Sequence, residues 1–120
     1  MIARKLSELE WFDRFTYKKN ILFGEKELRC AGGKFQIVVF KPHTGMESHC
    51  HKETVEIFYV LAGRGSIIFG QEVFQTRPND VFLCEPGDWH AFRNDAEEDF
   101  VILNVKTNET ERDIAWGPQL

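Results

Sequence analysis

From residue 20 onward, short apolar segments are separated by glycines, prolines and polar turns, and this punctuation limits what the chain can fold into. A long amphipathic helix needs an uninterrupted apolar repeat, whereas short segments rich in Val, Ile and Phe between turn residues are typical of strands. Ten such strands predict an all-β antiparallel sandwich or barrel and argue against a βαβ fold. The predicted strands are Asn20–Phe23, Glu27–Ala31, Phe35–Lys41, Ser48–His51, Thr54–Ala62, Gly65–Phe69, Glu72–Thr76, Asp80–Glu85, His90–Asn94 and Phe100–Thr107.

The two ends of the chain differ from this central part. Residues 1–20 predict a short N-terminal helix or an arm that packs on the barrel, because Ser7 and Glu10 fit a capping box. Apolar residues also recur there every three positions, at Leu6, Leu9, Phe12 and Phe15. Residues 21–107 are predicted to form the barrel and residues 108–120 a polar C-terminal tail, so we expect a single domain.

Composition narrows the class of protein. The formal net charge of −4, without a basic stripe, argues against nucleic acid as a partner. No apolar run approaches the roughly 20 residues of a membrane span and no signal sequence is evident, so we expect a cytoplasmic protein without a membrane partner. The three cysteines are odd in number and lack C-x-x-C spacing, which predicts free, buried thiols.

Three of the four histidines stand where a metal site would need them. His49 and His51 are one residue apart, so on a strand their side chains share a face, roughly 7 Å apart along the chain. His90 follows a proline–glycine turn in a distant segment and can supply a third imidazole. His43 lies in a turn and is predicted to face solvent.

A carboxylate completes the candidate set. Glu56 lies an odd number of residues after His51, so it can face the same way only if the chain turns within residues 52–55. Glu53 is the alternative, because it keeps the parity of His51. Glu56 is favoured because it opens the apolar run Ile57–Leu61, where an unpaired carboxylate would be costly. Three imidazoles and one carboxylate suit one divalent ion of Fe, Mn, Co, Ni or Zn.

Two stretches of sequence resemble the conserved motifs of the cupin superfamily. Residues 45–63 resemble the first motif in their His-x-His pair, their glutamate and the closing Gly63, although Gly45 stands closer to the histidines than usual. Residues 79–94 resemble the second motif in Gly87, His90 and Asn94. Asn79 replaces its leading glycine, and the proline is displaced by one place to Pro86, with Glu85 in its usual position.

The resemblance implies a fold and a ligand set. It implies a small single-domain cupin, an antiparallel double-stranded β-helix or jelly-roll barrel of the RmlC-like kind. It also implies that the metal ligands are His49, His51, Glu56 and His90. Homodimerisation is a further expectation from the family, with the aromatic N-terminal arm as a contact surface.

The same resemblance suggests what the site does. Cupins include dioxygenases, sugar isomerases and epimerases, and non-catalytic sensor domains. We expect a metal-dependent enzyme of dioxygenase type acting on a small organic molecule, with isomerase or epimerase chemistry and ligand sensing as alternatives. Strand parity predicts that Phe58 and Val60 face the pocket with Glu56, and that Phe92 and Asn94 do so with His90.

Overall fold

The computed structural model describes residues 1–117, which form eleven strands, one short helix and one 3-10 turn. The 3-10 turn is Leu6–Glu8 and the helix α1 is Glu25–Leu28. The strands are β1 (Phe12–Asp13), β2 (Tyr17–Phe23), β3 (Lys34–Phe40), β4 (Thr44–His51), β5 (Val55–Ala62), β6 (Ser66–Phe69), β7 (Glu72–Gln75), β8 (Val81–Cys84), β9 (His90–Asn94), β10 (Phe100–Thr107) and β11 (Ile114–Trp116).

The strands form two antiparallel sheets that face each other. One has the order β1-β2-β3-β10-β5-β8, and the other has the order β11-β4-β9-β6-β7. From β3 onward the chain crosses repeatedly between the sheets, and only β6 and β7 follow each other within one sheet, as a hairpin. This arrangement confirms the predicted all-β jelly roll.

Alternating burial along the strands builds the core between the sheets. In β5, Glu56, Phe58 and Val60 are buried whereas Ile57 and Tyr59 are exposed, as a half-buried strand requires. The buried apolar side chains come from both sheets: Val38, Phe40, Phe58, Val60, Ile67, Cys84, Phe92, Phe100 and Ile102. The ring of Phe40 stacks on those of Phe92 and Phe100, at centroid distances of 5.0 and 5.9 Å. Aromatic rings therefore fill the part of the barrel interior around Phe40.

Two turns show why the sequence motifs contain residues that tolerate a left-handed backbone. Gly63 has φ +84°, and a Cβ atom there would lie 2.2 Å from the carbonyl oxygen of Asp99. Asn79, which replaces the usual glycine of the second motif, has φ 81°. Asparagine is one of the few residues that adopts this conformation at modest cost. The substitution therefore preserves the turn.

Four expectations about local structure are corrected. The predicted strand Glu27–Ala31 is replaced by helix α1, because the Glu27 carboxylate accepts a 2.8 Å hydrogen bond from the Gly24 amide and stabilises the first turn. Strand β2 begins at Tyr17, so the boundary expected at residue 20 falls inside a sheet strand.

The predicted tail 108–120 contains β11, which pairs with β4; its last three residues lie outside the described part of the chain. The Ser7–Glu10 capping box does not form, since the Leu6–Glu8 turn has no side-chain cap.

Within residues 1–117, neither helical segment has the length and apolar character needed to cross a membrane.

Candidate metal centre

The four predicted ligands lie together at one end of the barrel interior. His49 and His51 end strand β4, His90 begins the neighbouring β9, and Glu56 extends from β5 in the opposite sheet. The chain turns between β4 and β5, so Glu56 shares the interior with His51 despite the odd spacing. All four are buried, whereas the alternative carboxylate, Glu53, is exposed.

The glutamate bridges two of the imidazoles. Its Oε1 atom lies 3.3 Å from Nε2 of His51, and its Oε2 atom lies 3.4 Å from Nε2 of His90. The His49 and His90 ring centroids are 4.2 Å apart, and His51 lies 5.6 Å from His49. The imidazoles therefore surround the carboxylate.

His49 and His90 are oriented by hydrogen-bond acceptors at Nδ1, and a carboxylate lies near Nδ1 of His51. Nδ1 of His49 lies 2.8 Å from the carbonyl oxygen of Glu47, and Nδ1 of His90 lies 3.0 Å from that of Asp88. Nδ1 of His51 lies 3.5 Å from a carboxylate oxygen of Asp113. An acceptor at Nδ1 favours the tautomer that leaves Nε2 unprotonated, which is the form that binds a metal.

A bound metal ion explains the arrangement of the buried imidazole nitrogens better than contacts among the side chains do. Nε2 of His51 and Nε2 of His90 are buried without a hydrogen-bond partner, a costly arrangement in a protein interior. One nitrogen from each of His49, His51 and His90 lies within 4.8 Å of the other two. Metal–nitrogen bonds of about 2.1 Å place donors on opposite sides of an ion about 4 Å apart. A divalent ion would therefore satisfy both orphaned nitrogens after small movements.

Glu56 is charged despite its burial. Burial alone would raise its pKa, but the adjacent His51 and His90 imidazoles and the positive charge of Lys106 hold the pKa well below its usual range. Nζ of Lys106 lies 3.2 Å from Oε1 of Glu56 and 2.9 Å from Oε2 of Glu109. These two carboxylates raise the pKa of Lys106, although its burial opposes the shift. The centre thus offers a carboxylate ligand at neutral pH.

His49 is uncharged at neutral pH and available as a ligand. Burial, together with the neighbouring His90, lowers its pKa to about 4. Its ring also packs 4.7 Å from that of Trp116 on β11, which covers it from the side of the C-terminal strand. A neutral imidazole does not have to lose a proton before it binds a metal.

This low pKa predicts a pH dependence for the metal-free protein. Between pH 6.5 and about 4 the unfolded chain protonates His49 and the folded chain does not, so stability falls as the pH decreases. From pH 7 to 4 we expect wild type to lose on the order of 3 kcal/mol more than His49→Gln. Urea unfolding in the presence of a chelator at four pH values measures this difference. His43→Gln, at an exposed position, should follow wild type, and parallel curves for His49→Gln and wild type would contradict the assignment.

The predicted pocket residues divide into two groups. Phe58 and Phe92 line an internal cavity of about 70 Å³ that also touches His49 and Glu56. Val60 and Asn94 are fully buried but are not among its lining residues. Asn94 instead donates hydrogen bonds to the carbonyl oxygens of Phe40, Lys41 and Glu98, which ties β9 to the end of β3. The prediction that Asn94 lines the pocket is therefore wrong, because its side-chain amide forms hydrogen bonds that hold two strands together.

Sequence reasoning missed four side chains around the centre. Lys106, Asp113 and Trp116 contact Glu56, His51 and His49 respectively, and none lies in either motif. Sγ of Cys84 lies 3.3 Å from Nδ1 of His90, behind the imidazole, and burial raises the pKa of this thiol. The register of β10 against β5, which pairs Lys106 with Glu56, is the signal that could have identified the lysine.

Asp113 connects the C-terminal strand to the turn between the ligands. Its Oδ1 atom accepts 2.8 Å hydrogen bonds from the amides of Lys52 and Glu53. Its Oδ2 atom accepts from both the amide and the hydroxyl of Thr54. These bonds hold the pKa of Asp113 below its usual value against the effect of its burial. One carboxylate thereby shapes the turn that separates His51 from Glu56.

The prediction that His43 faces solvent is confirmed. His43 is exposed, with φ 59°, and Nε2 of its ring lies 2.8 Å from a carboxylate oxygen of Glu97. The three cysteines are free, and Cys50 and Cys84 are buried as predicted, whereas Cys30 is only partly buried. Glu85, which occupies the usual proline position of the second motif, is exposed and contributes nothing to the centre.

Comparisons with known proteins agree with this architecture. KdgF from Halomonas sp. superposes with a TM-score of 0.76 at 18% identity, covering 88% of this chain and 91% of that one. A protein from Thermotoga maritima described as a predicted oxalate decarboxylase gives 0.79 at 20% identity, covering 88% and 98%. A cupin-2 domain from Rhodospirillum rubrum gives 0.78 at 19% identity, covering 98% and 80%. At these identities the similarity shows the fold alone.

The sequence itself identifies the family. No curated protein sequence matches the chain significantly. The family model of the cupin domain matches residues 36–106, which include all four candidate ligands and both motifs. The chain therefore belongs to the cupin family.

Proposed function

We propose that this cupin is a metal-dependent enzyme with dioxygenase-type chemistry, which binds one divalent ion through His49, His51, Glu56 and His90. The observation that carries the proposal is the convergence of three oriented imidazoles and a charged carboxylate beside an internal cavity. An ion held by four protein ligands would retain coordination positions for oxygen and an organic molecule.

The chain's own residues support this use of the centre. Phe58 and Phe92 present aromatic rings to the cavity and pack edge to face against each other. The hydrogen bonds at Nδ1 of His49 and His90 fix the imidazoles before any ligand arrives. Such preorganisation reduces the cost of reaching a reactive geometry.

One observation favours isomerase or epimerase chemistry as a second candidate. The Lys106 ammonium borders the cavity next to Glu56 and can hold a proton close to a bound substrate. Proton transfer by a positioned side chain is what an isomerase requires. The two candidates differ in one measurable respect, because only the dioxygenase consumes oxygen.

The test combines metal analysis with oxygen uptake. Protein purified without a histidine tag is analysed by plasma mass spectrometry, and then reconstituted separately with Fe(II), Mn(II) and Zn(II). We expect about one ion per chain, and oxygen uptake with small organic acids, thiols or phenols for the Fe or Mn form only. A variant with His49→Ala and His51→Ala is the control. Epimerisation without oxygen uptake would favour the isomerase, and binding without turnover would indicate a sensor.

A further inference from the structure

The cavity beside the centre contains cationic and amide side chains that the proposed chemistry leaves unassigned. Lys19 on β2, Gln36 on β3, and Asn104 and Lys106 on β10 all line it, opposite the histidines. Aromatic and aliphatic side chains form the rest of the wall: Tyr17, Val38, Phe40, Met46, Phe58, Phe92 and Ile102. A cavity that needed only to admit oxygen would have no use for two lysines and an amide pair, because each is costly to bury.

The amide pair is held in one orientation. The Asn104 side-chain nitrogen donates to the carbonyl oxygen of Ile57, so Oδ1 of Asn104 is turned toward Gln36. Nε2 of Gln36 donates to that oxygen at 2.7 Å. This leaves Oε1 of Gln36 buried without a partner, on a side chain that is only 3% exposed. A buried acceptor without a donor is costly, and a hydrogen-bond donor on a bound ligand would satisfy it.

The lysines add positive charge on the same side of the cavity. Lys106 is shared between Glu56 and Glu109, and Glu109 is also paired with Lys34 at 2.7 Å. Lys19 is half-buried and forms no ion pair among residues 1–117. With a divalent ion bound to Glu56, positive charges in this region outnumber the carboxylates. Such a cavity favours an anion.

Building on the proposed metal function, we propose that the cavity binds the anion of a small 2-hydroxy carboxylic acid. Lys106 and Lys19 hold the carboxylate, and the hydroxyl group donates its hydrogen bond to Oε1 of Gln36. The volume of about 70 Å³ is small beside the roughly 300–1,000 Å³ of sites for drug-sized ligands. The enclosed part therefore accepts only a few non-hydrogen atoms.

The probes are glycolate, its neutral amide glycolamide, and acetate, which lacks the hydroxyl group. Titration calorimetry measures their binding to metal-free protein and to protein loaded with Co(II), whose metal content is determined first. We expect Lys106→Met to weaken glycolate binding about tenfold and to change glycolamide binding less than about twofold. Gln36→Leu should weaken glycolate and glycolamide about fivefold and leave acetate unchanged. Lys106→Arg should restore most of the glycolate affinity.

Two further variants keep the result interpretable. Lys26→Met removes an exposed lysine on α1 and should bind all three probes as wild type does. Lys19→Met removes a cavity lysine that forms no ion pair with Glu56, so it replaces Lys106→Met if that variant fails to fold. Wild-type glycolate affinity in both lysine variants, with metal still bound, would overturn the inference. Failure of wild type to bind metal would instead contradict the proposed function, while the metal-free titrations would still test carboxylate selectivity.

Discussion

A double variant with His49→Ala and His51→Ala is expected to lose its metal while the barrel stays folded. It removes two of the three imidazoles whose nitrogens converge, and His90 with Glu56 cannot retain a divalent ion alone. Metal content should fall from about one ion per chain to below about a tenth. The protein is dialysed against buffer that contains the metal, and its metal content is then measured by plasma mass spectrometry.

The control uses the remaining histidine outside the centre. His43→Ala removes an imidazole that is exposed and paired with Glu97, so its metal content should equal that of wild type. Circular dichroism of both proteins verifies that the sheets are intact. If the double variant still binds one equivalent of metal, the centre lies elsewhere in the molecule.

Replacing Asp113 with alanine is expected to weaken both the fold and the centre. The change leaves the amides of Glu53 and Thr54 without their acceptor, whereas the Lys52 amide keeps the backbone carbonyl of residue 113. It also removes the carboxylate beside Nδ1 of His51. Loss of such a buried network typically costs about 3–5 kcal/mol. Loss of a carboxylate behind a ligating imidazole weakens metal binding by about 10- to 100-fold. Urea unfolding and competition with a chromophoric chelator measure the two effects.

Matched substitutions separate the two effects of Asp113. Asp113→Asn keeps an oxygen acceptor for the amides of Lys52 and Glu53, so it should recover part of the stability but less of the metal affinity. Glu111→Ala removes an exposed carboxylate from the same segment and should change neither quantity. Wild-type metal affinity in a folded Asp113→Ala protein would show that the carboxylate only shapes the turn.

The parts of the fold and site that could be predicted depend on local patterns. Alternation in β5 places Glu56 and Phe58 inside, and the one-residue spacing of His49 and His51 puts both on one face. The glycine and asparagine turns also follow from local conformational preference, as the backbone at Gly63 and Asn79 shows. These features need no information from distant segments.

The parts that were missed depend on contacts between distant segments. Asp113 contacts His51 only because β11 pairs with β4. Lys106 contacts Glu56 only because β10 pairs with β5. Neither residue has a local signal, since a lysine near a strand end and an aspartate in a polar segment are normally solvated. The helix Glu25–Leu28 was missed because one side-chain cap outweighed the expected strand. The homodimer and the cytoplasmic location stay predictions.

The imidazoles and the polar side chains on the opposite wall of the cavity lie on different strands, and this affects how such a protein can change. The imidazoles come from β4 and β9, whereas Lys19, Gln36 and Asn104 come from β2, β3 and β10 across the barrel. Mutations on those three strands can therefore alter the accepted molecule without touching an imidazole. Changes in specificity could therefore accumulate stepwise while the imidazoles of the candidate metal centre stay unchanged. Lys106 is the exception, because it contacts Glu56. A substitution there would affect both the molecule that the cavity accepts and the candidate carboxylate ligand of the metal.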